Sequence, residues 1–316
     1  MGIYRYTLRR LAQIVPVLFG VVTLTYVMMH ALPGDPVQIY LGEGPEQELA
    51  DDLIAQYGFD RPVHEQYLDY LARLLQGDLG TSFIYREPVF DLMMSRMEPT
   101  VVVMGLSYVV ALPTAIALGV YGAARHNRFG DHVSRIIGLT GISIPNFWLA
   151  LMLIYVLAYV FELLPASGYV SPFEDPVESA KLLVMPVITL ATAQMALLMR
   201  MTRSSMIEEL SSDYVETARA YGLSERSVLY RHSFRNALLP LVTIIGLQVS
   251  TLLGGSVIVE EIFAIPGLGR LFFDSLIEQD YSVTVGITLI FSFIFLVGVV
   301  ITDLAYAYID PRIKYD

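Results

Sequence analysis

Cysteine is absent from all 316 residues, which excludes disulfides, thiolate metal sites and cysteine nucleophiles. Histidine is scarce, with five in the chain, and none is paired at a metal-ligand spacing. His64-Glu65 opens like the zinc-protease HExxH motif, but Leu68 stands where the second ligand belongs. Basic residues are few: 20 Lys and Arg against 31 Asp and Glu leave a formal net charge of −11. Nucleic acid is therefore a poor partner, because phosphate binding wants a basic face. Charge of either sign is thin, at 16% of residues, while 55% are apolar and the mean hydropathy is +0.56. A soluble chain of this length needs far more polar surface.

The apolar residues are gathered into runs. A hydrocarbon core about 30 Å thick is crossed by roughly 20 residues of helix. Six stretches free of Asp, Glu, Lys and Arg are long enough: Leu11–Gly34, Pro99–Ala124, Ile136–Phe161, Leu182–Met199, Asn236–Val259 and Tyr281–Thr302. The chain reads as an all-α integral membrane protein with six transmembrane helices. The first run is longer than a signal-peptide core and no small-x-small cleavage site follows it, so it is expected to be retained.

Orientation follows from the positive charges near the span ends. With the N-terminus inside, the inner segments carry 14 of the 20 Lys and Arg, and the outer segments carry 6. Both termini are therefore expected in the cytoplasm. The acids run the other way, 22 of 31 lying outside, for a net −16 on the outer face and +5 on the inner. So acidic an exterior is what a halophilic source would favour, since it keeps the surface hydrated when salt screens charge.

The first outer segment, Asp35–Glu98, is long enough to fold. Pro33-Gly34-Asp35-Pro36 breaks the helix at the membrane surface. An amphipathic run follows at Glu48–Tyr57, and a second runs from near Pro62 to Gly77, with Tyr67, Leu68, Leu71, Leu74 and Leu75 at helical spacing. The expectation is a small helical cap; a passive spacer is the alternative. Glu162–Lys181 is acidic, broken by Pro165, Pro172 and Pro176, and reads as loop. In the third outer segment, Ala264-Ile265-Pro266-Gly267-Leu268-Gly269 reads as a turn among apolar neighbours, either dipping back into the protein or lying at the interface.

The inner loop Arg200–Arg235 carries the sharpest pattern. Asp213-x-x-Glu216 has capping-box spacing, predicting a helix over Tyr214–Tyr221 that stops at Gly222. Ser224 then caps a second helix running through Arg235. Ala218 and Ala220 leave room for close approach, and Tyr214 and Tyr221 offer amphipathic anchors for a protein interface. Ala218–Val228 also looks like a DNA-binding helix-turn-helix. That reading suits a free soluble chain, not a unit tethered to the bilayer at both ends with no third helix to complete a core.

Tyr214-Val215-Glu216-Thr217-Ala218-Arg219-Ala220-Tyr221-Gly222-Leu223-Ser224 resembles the EAA coupling motif of binding-protein-dependent ABC importer permeases. Arg231-His232-x-x-Arg235-Asn236-Ala237-x-x-Pro240 is similar to the variant in the dipeptide, oligopeptide and nickel subfamily. Thr217 replaces the first alanine of the motif, and His232-Ser233-Phe234-Arg235 replaces its Ile-x-Leu-Pro ending; both departures point to that subfamily. Arg9-Arg10, Leu32-Pro33-Gly34-Asp35-Pro36, Gly58-Phe59-Asp60-Arg61-Pro62, Gly77-Asp78-Leu79-Gly80, Val259-Glu260-Glu261-Ile262-Phe263 and Pro266-Gly267-Leu268-Gly269-Arg270 resemble the first permease of the heterodimeric pair.

The resemblance implies a type I ABC importer permease fold with an extracytoplasmic helical insertion and a cytoplasmic coupling helix-turn-helix. The chain divides accordingly into 1–34, a cap over 35–98, a permease core over 99–307 with its coupling loop at 200–235, and a tail over 308–316. Implied partners are a second permease, two cytoplasmic ATPases and an extracytoplasmic solute-binding protein. Tyr214, Val215, Glu216, Ala218, Arg219, Ala220, Gly222 and Leu223 would dock on an ATPase. No GxxxxGK[ST] loop occurs, so no cofactor is expected on this chain and ATP with Mg²⁺ belongs to the partners. Asn146, Gln194, Gln248 and Ser250 are candidate pathway-lining residues; polar residues within spans also bond helix to helix. Met185, Met195 and Met199 read as packing. Peptides are the expected solute, with nickel or oligosaccharides as alternatives. An ion channel or secondary transporter, the rival class, would usually show ionisable groups inside its spans or inverted repeats. A membrane scaffold without transport is a weaker rival.

Overall fold

The computed structural model describes residues 3–33, 54 and 60–309, and every secondary-structure element in them is helical. The expected amphipathic run Glu48–Tyr57 and the C-terminal residues 310–316 lie outside these residues, save Ile54. Among the described residues, ten α-helices of eight residues or more organise the chain: α1 (Ile3–Ala31), α2 (Val63–Leu75), α3 (Val89–Ala124), α4 (Phe129–Ser143), α5 (Asn146–Leu153), α6 (Pro176–Leu210), α7 (Asp213–Ala220), α8 (Phe234–Ile262), α9 (Leu268–Ile277) and α10 (Tyr281–Ile309). Two π-helical segments, Ile154–Val160 and Val228–Ser233, extend α5 and lead into α8.

Five helices contain spans long and apolar enough to cross a membrane, within α1, α3, α6, α8 and α10. The third predicted span, Ile136–Phe161, is not one helix. It is cut between Ser143 and Asn146, and its halves meet at 99°. Pro145 is the cause: it has no N–H to donate and forces Ile144 out of the helical region, to φ −80° and ψ 120°. The bent pair counts as a sixth span if its halves cross together.

The membrane helices outrun the uncharged stretches that announced them, α3 and α6 the furthest. Helix α3 begins at Val89, so the divide expected at 98/99 falls inside it. Helix α6 runs from Pro176 to Leu210, taking in charged residues at both ends. Pro176 sits where its missing N–H costs nothing, and the Asp175 carboxylate accepts the amides of Val177 and Glu178, each at 3.0 Å. The loop before it is shorter than expected, and Tyr169 and Ser171 pin it to α3 by donating to Glu98 at 3.1 and 2.6 Å.

Helices α3, α4 and α6 form the tightest part of the bundle, and glycine sets the spacing. A Cβ on Gly119 would lie 2.6 Å from Thr202 Cβ, and one on Gly141 2.8 Å from Ala196 Cβ. With no apolar-solvent force between helices inside lipid, such close backbone approach supplies the packing. Met185 and Met199 are buried in this seam and Met195 packs against it, as their composition suggested. Val15, Leu24, Val109 and Ile136 face outward instead, as a lipid-facing surface allows.

The cap helix α2 packs Tyr67, Tyr70, Leu71 and Leu74 on Val22 and Tyr26 of α1 and on Val285 and Leu289 of α10. Leu68 and Leu75, expected on that face, are exposed, because the stripe that docks is 67–70–71–74 and they flank it. Gly77, at φ +81°, ends the helix as predicted.

Candidate functional site: an elbow and a buried carboxylate knot

The elbow starts where α6 ends. Ser211 and Ser212 break the helix, their hydroxyls donating back to the Glu208 and Glu209 carbonyls at 2.8 and 2.6 Å. Ser212 is the N-cap position of α7, and its side chain, already engaged, makes no cap bond. The expected capping box is therefore not formed: Asp213 is the first helical residue, and its carbonyl accepts from the Thr217 hydroxyl at 3.0 Å. The C-terminus closes as predicted. Gly222 takes φ +80°, its N–H donates to the Arg219 carbonyl at 2.9 Å, and that of Leu223 donates to Ala218 at 3.2 Å. These two bonds form a Schellman motif. Arg219 straps the turn, its Nε and a terminal nitrogen lying 2.8 and 3.3 Å from the Glu225 carboxylate.

The expected docking residues divide into two groups. Glu216, Arg219, Ala220, Tyr221, Gly222 and Leu223 are exposed, Tyr221 at 84%, and Ala218 is half-buried. Val215 is 0% exposed and anchors the base of the elbow instead. Tyr214 also works inward: it donates to Glu209 at 2.5 Å and accepts from Asn236 at 3.2 Å, bridging the end of α6 to the start of α8. Burial, then that carboxylate, raises its phenol above the ordinary value. Ser224 accepts from Ser227 N at 3.4 Å, but the helix it caps does not stop near Arg235. The turn Glu225–Ser227, the π-helical segment and α8 follow without a break. The second arm of the elbow is thus the N-terminal end of a membrane-length helix, not a free recognition helix for DNA.

Beside the elbow, Arg203 of α6 forms a two-pronged ion pair with Asp131 of α4, at 2.5 and 2.8 Å, where Asp131 is 0% exposed. Asn127 N adds a bond to the same carboxylate at 2.9 Å. This pair ties the α3–α4 turn to the helix that carries the elbow. Sequence reading counted both residues only as loop charge, and nothing local links two residues this far apart in the chain.

Of the candidate pathway residues, Gln194 and Gln248 come together. Gln248 Nε2 donates to the Gln194 carbonyl at 3.3 Å, both side chains are buried, and both Oε1 atoms lack a donor among the described residues. Asn146 follows the Pro145 break and faces α8, its Nδ2 3.6 Å from where a Cβ on Gly255 would stand. The Ser250 side chain lies outside the described residues.

At the C-terminal end of α8, Glu260 is 0% exposed, and among the described residues no cation pairs with it. Its carboxylate accepts from Thr100 Oγ1 at 2.7 Å and Arg270 N at 3.0 Å, with Gly269 N adding to the set. Thr100 Oγ1 in turn accepts from Leu268 N at 2.8 Å. An internal carboxylate thus satisfies the orphan amides that open α9, where the helix dipole favours negative charge. The glycines make the fit possible: a Cβ on Gly267 would lie 2.5 Å from Thr100 Oγ1, and one on Gly269 2.7 Å from Val257 Cα. Ile265, Gly267, Leu268 and Gly269 are buried, so the turn dips into the protein. Sequence reading placed Glu260 among the solubilising acids; the glycines seven and nine residues later were the available signal for a close-packed carboxylate.

Two family models cover nearly the whole chain: "Binding-protein-dependent transport system inner membrane component" matches residues 115–315, and its N-terminal companion matches residues 3–104. The oligopeptide transport system permease protein AppB of Bacillus subtilis (strain 168) is 40% identical over 313 residues, covering 98% of this chain and 99% of its own. The dipeptide transport system permease protein DppB of Escherichia coli (strain K12) is 38% identical over 336 residues, with 98% and 99% covered. DppB of Alkalihalophilus pseudofirmus is 37% identical over 331 residues, at the same coverage. An all-helical chain with five membrane-length helices and a bent pair, matched end to end in this way, belongs to the binding-protein-dependent transport system inner membrane component family of ABC importer permeases.

Proposed function

We propose that this permease subunit forms half of a peptide pathway and takes its motion from a partner ATPase through the elbow at residues 211–224. The observation that carries the reading is the closed turn: Gly222 at positive φ, two cap bonds and the Arg219–Glu225 strap hold Tyr221 and Leu223 out as a preformed contact surface. Peptide as solute follows the names of the relatives AppB and DppB. The other half of the pathway is a second permease, and ATP with Mg²⁺ is bound by two cytoplasmic ATPases. An extracytoplasmic binding protein delivers the solute, with the cap that ends in α2 as one place to meet it. The charge bias puts both termini and the elbow in the cytoplasm, and the acidic outer face suits a salt-rich exterior. Gln194, Gln248 and Asn146 lie on the α6–α8 seam and the bend beside it, the walls through which a solute path would open.

Reconstituting the full complex in proteoliposomes tests this. Labelled oligopeptide should enter only with ATP inside and the binding protein outside. Uptake of nickel or an oligosaccharide in place of peptide would overturn the solute assignment, and ATP-independent uptake would overturn the coupling.

A further inference from the structure

The first helical turns of α3, the loop before them and the start of α9 enclose a cleft of about 240 Å³ lined by Tyr85, Arg96, Gly267, Arg270, Leu271 and Asp274. Its floor is fixed, because Glu260 and Thr100 already occupy the amides that open α9. Those amides cannot serve a ligand, so what the cleft offers is its polar side chains: the guanidinium groups of Arg96 and Arg270, the Tyr85 phenol and the Asp274 carboxylate.

The two arginines differ. Arg270 Nε sits 3.5 Å from Glu261 and 3.9 Å from Asp274, two partly exposed and loosely held pairs. Arg96 is half-buried and has neither an ion pair nor a hydrogen-bond partner among the described residues. A guanidinium carries five donors in a planar fork that matches a carboxylate, and leaving that fork unpaired in a half-buried position is unfavourable. The shape also limits what can enter. Small-molecule sites run to roughly 300–1,000 Å³. This cleft falls below that range, too small for a solute and large enough for one side chain.

We propose that Arg96, with Arg270 beside it, receives an acidic side chain of the extracytoplasmic binding protein. The proposal rests on the orientation given above, which puts this cleft on the outer face. That face is otherwise strongly acidic, with 22 of the 31 carboxylates. An acid on the partner is repelled by most of it and meets at this cleft the Arg96 guanidinium, which has no ion pair among the described residues, whereas Arg270 is already loosely paired with Asp274 and Glu261. Like-charge surroundings thereby fix where and in which register the partner docks, while the Arg96 fork holds it.

The test measures the affinity of the purified binding protein for the complete transporter in nanodiscs. Arg96→Gln should weaken Kd by about tenfold or more, and Arg96→Glu further, the losses typical of a charge-assisted bond and a charge reversal. Arg96→Lys, which keeps the charge and loses the fork, should fall between, and it keeps the test alive if the bolder variants fold poorly. Lys181→Gln, an equal charge change elsewhere on the outer segments, should leave Kd nearly unchanged. Wild-type affinity in Arg96→Gln overturns the proposal. So does an unchanged Kd paired with a raised transport KM for acidic peptides, which would assign the cleft to the solute. Because the chain lacks cysteine, Arg96→Cys provides a single thiol for membrane-impermeant maleimide in intact cells. Labelling only after permeabilisation would sink the orientation itself; labelling from outside with unchanged affinity sinks the cleft alone.

Discussion

Gly222→Val isolates the geometry of the elbow. A Cβ built on Gly222 meets nothing within 4 Å, so a larger side chain has room and no clash is involved. What remains is the backbone. At φ +80° an L-residue suffers about 1–2 kcal/mol, and a β-branched one more. That is a factor of about 5–30 in the population of the closed turn. Relaxing φ to a negative value gives up the Gly222 and Leu223 cap bonds and swings Tyr221 and Leu223 away from their present positions. A series separates the effects: Asn tolerates the left-handed region and should stay near wild type, Ala should lose part, and Val most. The assay is ATP hydrolysed per peptide imported in proteoliposomes, with amide exchange at Leu223 reporting the turn directly. Valine should raise the ratio severalfold and speed exchange. If valine opens the turn by exchange yet leaves the ratio unchanged, the closed turn is not what passes motion to the membrane.

Removing Arg203 should strand Asp131: Arg203→Ala is expected to cost about 3–5 kcal/mol, read as a lowered Tm in detergent, with Asp131→Asn restoring much of it. Glu260→Ala leaves the Gly269 and Arg270 amides of α9 without an acceptor, for a loss of about 2–4 kcal/mol and faster proteolysis near Arg270. Asp280 is pushed above the ordinary carboxylate range by burial, so the folded state binds its proton more tightly than the unfolded state does. Its contribution is full below the unfolded value and is lost as pH rises through the folded one; Asp280→Asn should flatten Tm against pH on that acid limb. Tyr214→Phe removes the bond to Glu209 and the acceptor for Asn236 while keeping the ring, so coupling should fall with little change in Tm.

Spans and turns whose causes are local were legible from sequence. Runs without charge announced the membrane helices, and Gly77 and Gly222 ended helices where a positive φ was needed. Boundaries were less so, since a charged residue ends hydrophobicity without ending a helix: α3 and α6 both extend past their uncharged cores. The bend at Pro145 was misread because the apolar run hid a backbone break. The elbow's exposed residues could be named from their pattern, but not that Val215 turns inward or that Tyr214 bridges α6 and α8. The ties between Asp131 and Arg203 and between Thr100 and Glu260 join residues 72 and 160 positions apart, a distance at which no single-sequence pattern operates.

One continuous helical rod runs from Glu225 to Ile262, some 38 residues, or roughly 55 Å at 1.5 Å per residue. The serine break interrupts the helix between α6 and the elbow, where the Tyr214–Glu209 bond spans it, whereas the helix on the α8 side is unbroken. Two residues before the far tip of that rod, Glu260 grips the small helix that bears Arg270. On the coupling proposed above, a turn of the elbow would be felt at Arg270. By reciprocity, a partner clasped there would then alter how tightly the elbow's own partner is held, by the same factor in each direction.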